Sequence, residues 1–214
     1  MLVLKKLVIR GSVAMVVLAG LGVLFVRSAR DVRTAPYSVP ANQMTTWTLA
    51  LEPAVDGSAY LLSLRADPML TSGLFKQIFT RAAESLSAPS VAAIPLVLKS
   101  EFARAIAGRL SPETLLQMAR AAGLDRARPE AVCLALRRIS EPNLTRQAYF
   151  VLFTLPAFEA FRRQVAERLG PAAEFDPTAQ SPVVLVAASD DAFDTWWPVH
   201  AVASTDCTAP IVVQ

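Results

Sequence analysis

Few side chains in this sequence are of the types that do chemistry, and their spacing limits what that chemistry could be. There is one histidine, His200. A single imidazole cannot build a multi-histidine metal site, and Cys133 stands too far away in the chain to form a spaced ligand motif with it. A Ser-His-Asp triad built on His200 would need a serine on a sharp turn, and no Gly-x-Ser-x-Gly is present. Ser189-Asp190-Asp191-Ala192-Phe193-Asp194 offers three carboxylates that could hold a hard cation such as Ca²⁺. It lacks the alternating oxygen-ligand spacing of a calcium loop. The same residues fit an N-cap followed by acids that the helix dipole favours. Arg137, Arg138 and Arg146, with Tyr149 nearby, could form an anion pocket, although paired arginines at a strand end also guard an edge. Trp196-Trp197-Pro198 reads either as an exposed aromatic patch or as a plug under a sheet. Asn143-Leu144-Thr145 matches the glycosylation sequon. No cofactor or metal motif is present, and none is expected.

These residues have to be positioned by a domain whose charge differs from that of the whole chain. The net charge of +3 is carried by the N-terminus: Lys5, Lys6, Arg10, Arg27, Arg30 and Arg33 surround one apolar run. Residues 34–214 hold 15 Lys/Arg against 17 Asp/Glu, so a basic face for duplex binding is not expected and neither is a nucleic-acid partner. Within the domain, six arginines fall between Arg120 and Arg146. After Arg168 there are six acids and no Lys or Arg.

Gly11 to Val26 runs 16 residues without a charge, and Leu7 to Val26 gives 20 residues with only Arg10 inside. That length crosses ~30 Å of hydrocarbon at ~1.5 Å per residue. A cleaved signal peptide would share the basic start and apolar centre, but Arg27 stands where a small residue is needed for cleavage. The expected organisation is a cytoplasmic tail (1–6), a transmembrane signal-anchor (7–26), a linker (27–43) and one extracytoplasmic domain (44–214). Basic residues flank both sides of the run almost equally. The orientation therefore rests on the short N-terminal tail. Cys133 and Cys207 form an even pair that suits an exported domain. Either they join, or Cys133 is a buried free thiol.

The domain reads as α+β, with helices packed on a mixed or mostly antiparallel sheet. Thr45–Leu51 and Tyr60–Leu64 alternate about Asp56-Gly57, a hairpin signal. A helix is expected over Met69–Leu86, a loop bracketed by Pro89 and Pro95, and a short helix over Glu101–Leu110. Ser111-Pro112 opens a further helix that Gly123 ends. Ala131–Ile139 and the apolar Tyr149–Leu155 are strands, the second of them interior. Pro156 begins an amphipathic helix with Phe158, Phe161, Val165 and Leu169 inward. Arg162 is expected outward, so Arg162→Ala should change stability by less than ~0.5 kcal/mol. Gly170-Pro171 ends that helix. Pro182–Ala187 is a buried strand, which a right-handed crossover could make parallel to Tyr149–Leu155.

The stretch from Tyr149 to Asp194 comprises a strand, a helix led by Phe158 and Phe161, Gly170, Phe175-Asp176-Pro177 and the strand PVVLVAASDD. It resembles half of a 2H phosphodiesterase, with Thr46-Trp47-Thr48-Leu49 in the place of the other half. In that family two such units face each other, each with a His-x-Thr/Ser motif, and cleave a phosphodiester of RNA or a cyclic nucleotide. Trp47 and Val183/Val184 stand where motif histidines would be sought, so the resemblance implies the fold without the chemistry.

Composition and motifs together point to a membrane-anchored extracytoplasmic binding module whose partners are the membrane and another envelope protein. The alternative is a hydrolase or phosphodiesterase-like enzyme with a dispersed site. The intact mass of the protein taken from its native membrane is expected to include residues 1–33. A mature chain beginning near residue 30 would refute the anchor.

Overall fold

A computed structural model describes residues 15, 18–24, 34–52, 59–82, 84–142, 144–193 and 200–214. The chain divides into two units, residues 1–35 and Pro36–Gln214. In the first unit residues 18–24 are helical and exposed. The expected span Leu7–Val26 lies largely outside the described residues, and among those described no helix is long and apolar enough to cross a membrane.

The second unit is a mixed α/β structure of antiparallel sheets and helices. Its first strand, β1 (Tyr37–Val39), and a 3₁₀ turn, Ala41–Met44, come from the segment expected to be linker. The correction has a plain cause. Tyr37 and Val39 are buried, and β1 pairs in parallel with β9 (Ile211–Val213). Two prolines and few apolar residues hid a three-residue strand that alternates inward and outward.

β2 (Trp47–Leu51), β3 (Tyr60–Ala66) and β4 (Ala93–Leu98) form an antiparallel sheet in the order β2-β3-β4. β4 occupies part of the stretch read as a loop. Pro95 is tolerated because β4 is an edge strand and its register against β3 slips between Pro95 and Val97, leaving Leu96 as an extra residue. Between β3 and β4 runs helix α1 (Pro68–Ala82), which buries Leu70, Thr71, Leu74, Ile78 and Ala82. The expected helix over Glu101–Leu110 is instead a short α-turn, Lys99–Glu101, continuing as a π-turn, Phe102–Ile106. Helix α2 (Pro112–Ala121) starts as its sequence dictates, with the Ser111 hydroxyl accepting from Thr114 N–H at 3.1 Å. Gly123 follows it at φ 81°, in the left-handed region that favours glycine.

β5 (Glu130–Glu141), β6 (Leu144–Thr154), β7 (Val183–Ala188) and β8 (Cys207–Ala209) make the second sheet, in the order β7-β6-β5-β8. β6 is interior and buried on both faces. Tyr149, Val151 and Phe153 join the main core, while Phe150 and Leu152 join a smaller cluster with Cys133, Ala135, Val183 and Ala201. The return from helix α3 (Pro156–Leu169) brings β7 antiparallel to β6, not parallel.

α3 holds the largest departure from expectation. Phe158, Phe161, Val165 and Leu169 are buried as its periodicity requires, but Arg162 is buried too, with 0% exposure. All five of its N–H groups are used. Nε donates to Pro177 O at 2.9 Å. Nη1 donates to Leu96 O at 3.2 Å and to Glu101 Oε2 at 3.2 Å. Nη2 donates to Glu101 Oε1 and to Asp176 O, both at 2.7 Å. The Phe175 ring lies 4.7 Å from its guanidinium carbon. A buried cation is tolerated only when it is paired and fully hydrogen-bonded, and this one is. Removing either the ring of Phe161 or the head of Arg162 should therefore be severe. The first leaves a cavity, and the second leaves an uncompensated buried carboxylate. Phe161→Ala and Arg162→Ala are each expected to lose about 3–5 kcal/mol in denaturant melts, against less than ~0.5 kcal/mol for the exposed Arg163→Ala.

Candidate functional site

The loop from Gly170 to Pro182 is fixed against α3 by Arg162, which takes the carbonyls of Asp176 and Pro177. Its tip closes on itself. Asp176 Oδ1 accepts from both Thr178 N–H and Thr178 hydroxyl at 2.7 Å. Those two hydrogen bonds hold the Asp176 carboxyl below the usual range. A weak burial effect opposes them, and the charges of Arg162 and His200 add to them.

Between this loop and α3 lies a cleft of about 260 Å³. Phe158, Pro177 and Pro182 give it apolar walls, and Glu159, Arg163 and His200 stand exposed at its rim. Gln180, also in the wall, is buried. Its Nε2 donates to Glu101 Oε2 at 2.8 Å, which ties the cleft to the Arg162 network. The Glu101 carboxylate also fixes the orientation of the Gln180 amide, because only the NH₂ end can face it. Ser181 is committed to backbone: its hydroxyl donates to Ala201 O at 3.0 Å and accepts from Ala201 N–H at 2.9 Å.

The residues singled out by sequence are dispersed. Arg137 and Arg138 are successive on β5 and so point to opposite faces of the sheet. Arg137 forms a two-pronged pair with Asp206 and also donates to His200 O. Arg138 donates to Gln147 Oε1 at 3.3 Å. Arg146 lies 3.8 Å from both Glu141 and Asp190. Two of the three arginines thus face carboxylates and the third an amide. Asp190 accepts from Ala192 N–H at 2.9 Å, and Phe193, the last described residue before position 200, is in 3₁₀ conformation. Among the described residues no three His, Cys, Asp or Glu side chains are grouped to hold a metal ion. Asn143, Asp194, Trp196, Trp197 and Pro198 lie outside the described residues.

Cys133 and Cys207 are joined by a disulfide, with Cα atoms 5.7 Å apart. It pins the C-terminal segment over the smaller core cluster. Of the cleft residues, sequence reasoning had considered only His200 as a site residue. Asp176-Pro177-Thr178, an acid and a hydroxyl two apart around proline, is a self-closing turn signal that could have marked the loop as built.

No family model matches this chain, no curated protein is similar to it, and no solved structure matches its fold.

Asp206 offers a pH test of how the C-terminal segment is held. Burial pushes its carboxyl up, but the hydrogen bond from Arg137, the Val202 N–H at 2.7 Å and the Arg137 charge outweigh that. The carboxyl is therefore held below its ordinary value. A group with a depressed folded-state pKa adds stability above its unfolded pKa, and that stability is lost as pH falls through the folded value. Asp206→Asn is expected to cost roughly 1.5–3 kcal/mol at neutral pH. The difference from the unaltered protein should shrink below about pH 4, a trend that chemical melts across pH would read.

Proposed function

We propose that this chain is a membrane-anchored, non-catalytic binding module. Its domain is extracytoplasmic, and the cleft beside α3 receives one bulky side chain of a partner protein. The observation that carries this reading is the cleft itself. It has an apolar interior, a polar rim of Glu159, Arg163 and His200, and a wall made rigid by the fully bonded Arg162 and Glu101. Its volume of about 260 Å³ suits a single side chain better than a cofactor. Preorganisation of this kind lowers the entropic cost of binding. The hydroxyls that line the cleft with His200 are engaged elsewhere, Thr178 with Asp176 and Ser181 with Ala201, which supports recognition over nucleophilic chemistry. The apolar run Leu7–Val26 supports the anchor. The Cys133–Cys207 disulfide supports an oxidising compartment for the domain.

A second reading is a hydrolase, phosphodiesterase-like or otherwise. It is favoured by the placement of His200, the one histidine, on the rim of the same cleft.

Amide-resolved NMR of the protein titrated with a panel of N-acetyl amino-acid amides separates the two. Perturbations confined to residues 158–163, 177–182 and 200, strongest for aromatic or large aliphatic side chains, are expected. Phenyl ester and phosphodiester substrates should not turn over. Turnover that disappears in His200→Ala would replace the binding reading with the hydrolase.

A further inference from the structure

Helix α1 buries one face and leaves another that is apolar and cationic. Met69 is 55% and Phe79 53% exposed, and Lys76 lies exposed between them on the same side. The Phe79 ring stacks on that of Phe75, with centroids 6.0 Å apart at 22°. Between Pro68 and Ala82 the helix carries Lys76 and Arg81 and no carboxylate. The acids at its ends are occupied: Asp67 accepts the Met69 N–H at 2.8 Å, and Glu84 accepts from Gln147 and Tyr149. An amphipathic helix with aromatic rings and a lysine on its outward face has the composition of an interfacial helix.

The same helix grips the start of the compact unit. Gln77 bonds Ser38 twice, accepting its N–H at 3.1 Å and donating to its carbonyl at 2.9 Å. Arg81 donates to Pro36 O at 3.0 Å and lies 4.0 Å over the Tyr37 ring. Nine residues separate Val26 from Pro36. Fully extended, they reach at most about 30 Å.

From this juxtaposition we infer that the Met69–Phe75–Lys76–Phe79 face of α1 is a docking surface for a phospholipid bilayer. Phe79 and Met69 enter the boundary between headgroups and acyl chains, and Lys76 meets lipid phosphates. The inference rests on the reading of residues 7–26 as an anchor. The tether delivers α1 to the membrane, and the charge on α1 complements the lipid phosphates.

The test uses the full chain in nanodiscs of phosphatidylcholine and phosphatidylglycerol, with a spin label at Phe79→Cys, a second reporter at Met69→Cys, and a control at Arg120→Cys on the exposed side of α2. Intact mass checks that Cys133–Cys207 remains closed. The expected result is several-fold greater relaxation by oxygen than by a water-soluble nickel chelate at positions 69 and 79, with the opposite order at 120. Equal access to nickel at 79 and 120 in chains that are in the discs overturns the docking surface and leaves the anchor standing. A label at 79 shielded from both reagents assigns the face to a second copy or another protein, and also overturns it. Failure of the chain to enter the discs removes the anchor, and the inference with it.

Discussion

The unit from Pro36 to Gln214 depends on one buried ion pair, Arg162 with Glu101. Each partner would be costly alone in an apolar interior, and together they are inexpensive only because every remaining donor on the guanidinium finds a carbonyl. Those carbonyls come from places the hydrophobic pattern cannot join. Leu96 is the unpaired residue of a strand irregularity, and Asp176 and Pro177 belong to a loop without regular structure. One side chain on α3 therefore stitches the edge of the first sheet, the short α-turn after it and the cleft-forming loop into one arrangement. Gln180 extends the same network from Glu101 to the cleft wall. Shape at the cleft is thus a by-product of satisfying a charge.

Much of the architecture was legible because it follows from period and capping. The interior strand β6, the hairpin of β2 and β3, the Ser111 cap and the apolar face of α3 needed only residue type and spacing. What was missed was hidden where residue type contradicted geometry. Arg162 sits four residues after Phe158 and three before Val165, so the helical period already placed it inward; an arginine was assumed to point outward. Pro95 disguised β4, because proline argues against a strand unless the strand is an edge with a slipped register. β1 was too short for its alternation to register, and its burial depends on β9, which lies more than 170 residues later. The candidate site was the least legible part. Its residues come from α3, the 177–182 turn and position 200, and no local motif links them. Of the three arginines singled out, Arg137 and Arg138 are neighbours in sequence on a strand and so opposed in space, and Arg137 and Arg146 each have an acid nearby.

The second face of the β5–β6 pair shows how a thin sheet is finished. Phe150 and Leu152 point away from the main core and are covered by the segment from Ala201 to Ala209. Among the described residues that cover is a one-turn helix and a short strand, fastened by dissimilar means: the Arg137–Asp206 pair, two strand-register contacts and the disulfide. The disulfide acts on the unfolded chain. Closing a loop with a sequence separation of 74 removes about 4 kcal/mol of unfolded-state freedom in the chain-entropy description.

The parallel pairing of β1 with β9 has a topological meaning. Gln214 N–H reaches Val39 O at 2.9 Å, and Ala41 N–H reaches Gln214 O at 2.6 Å. Residues 39 and 214, close to the two ends of the compact unit, are therefore neighbours, and the backbone between them traces a ring with a single seam. Such a ring has no privileged starting point. Splicing its seam with a few glycines and opening it at an exposed turn such as Gly108 would shift where the chain begins while keeping its cross-connections.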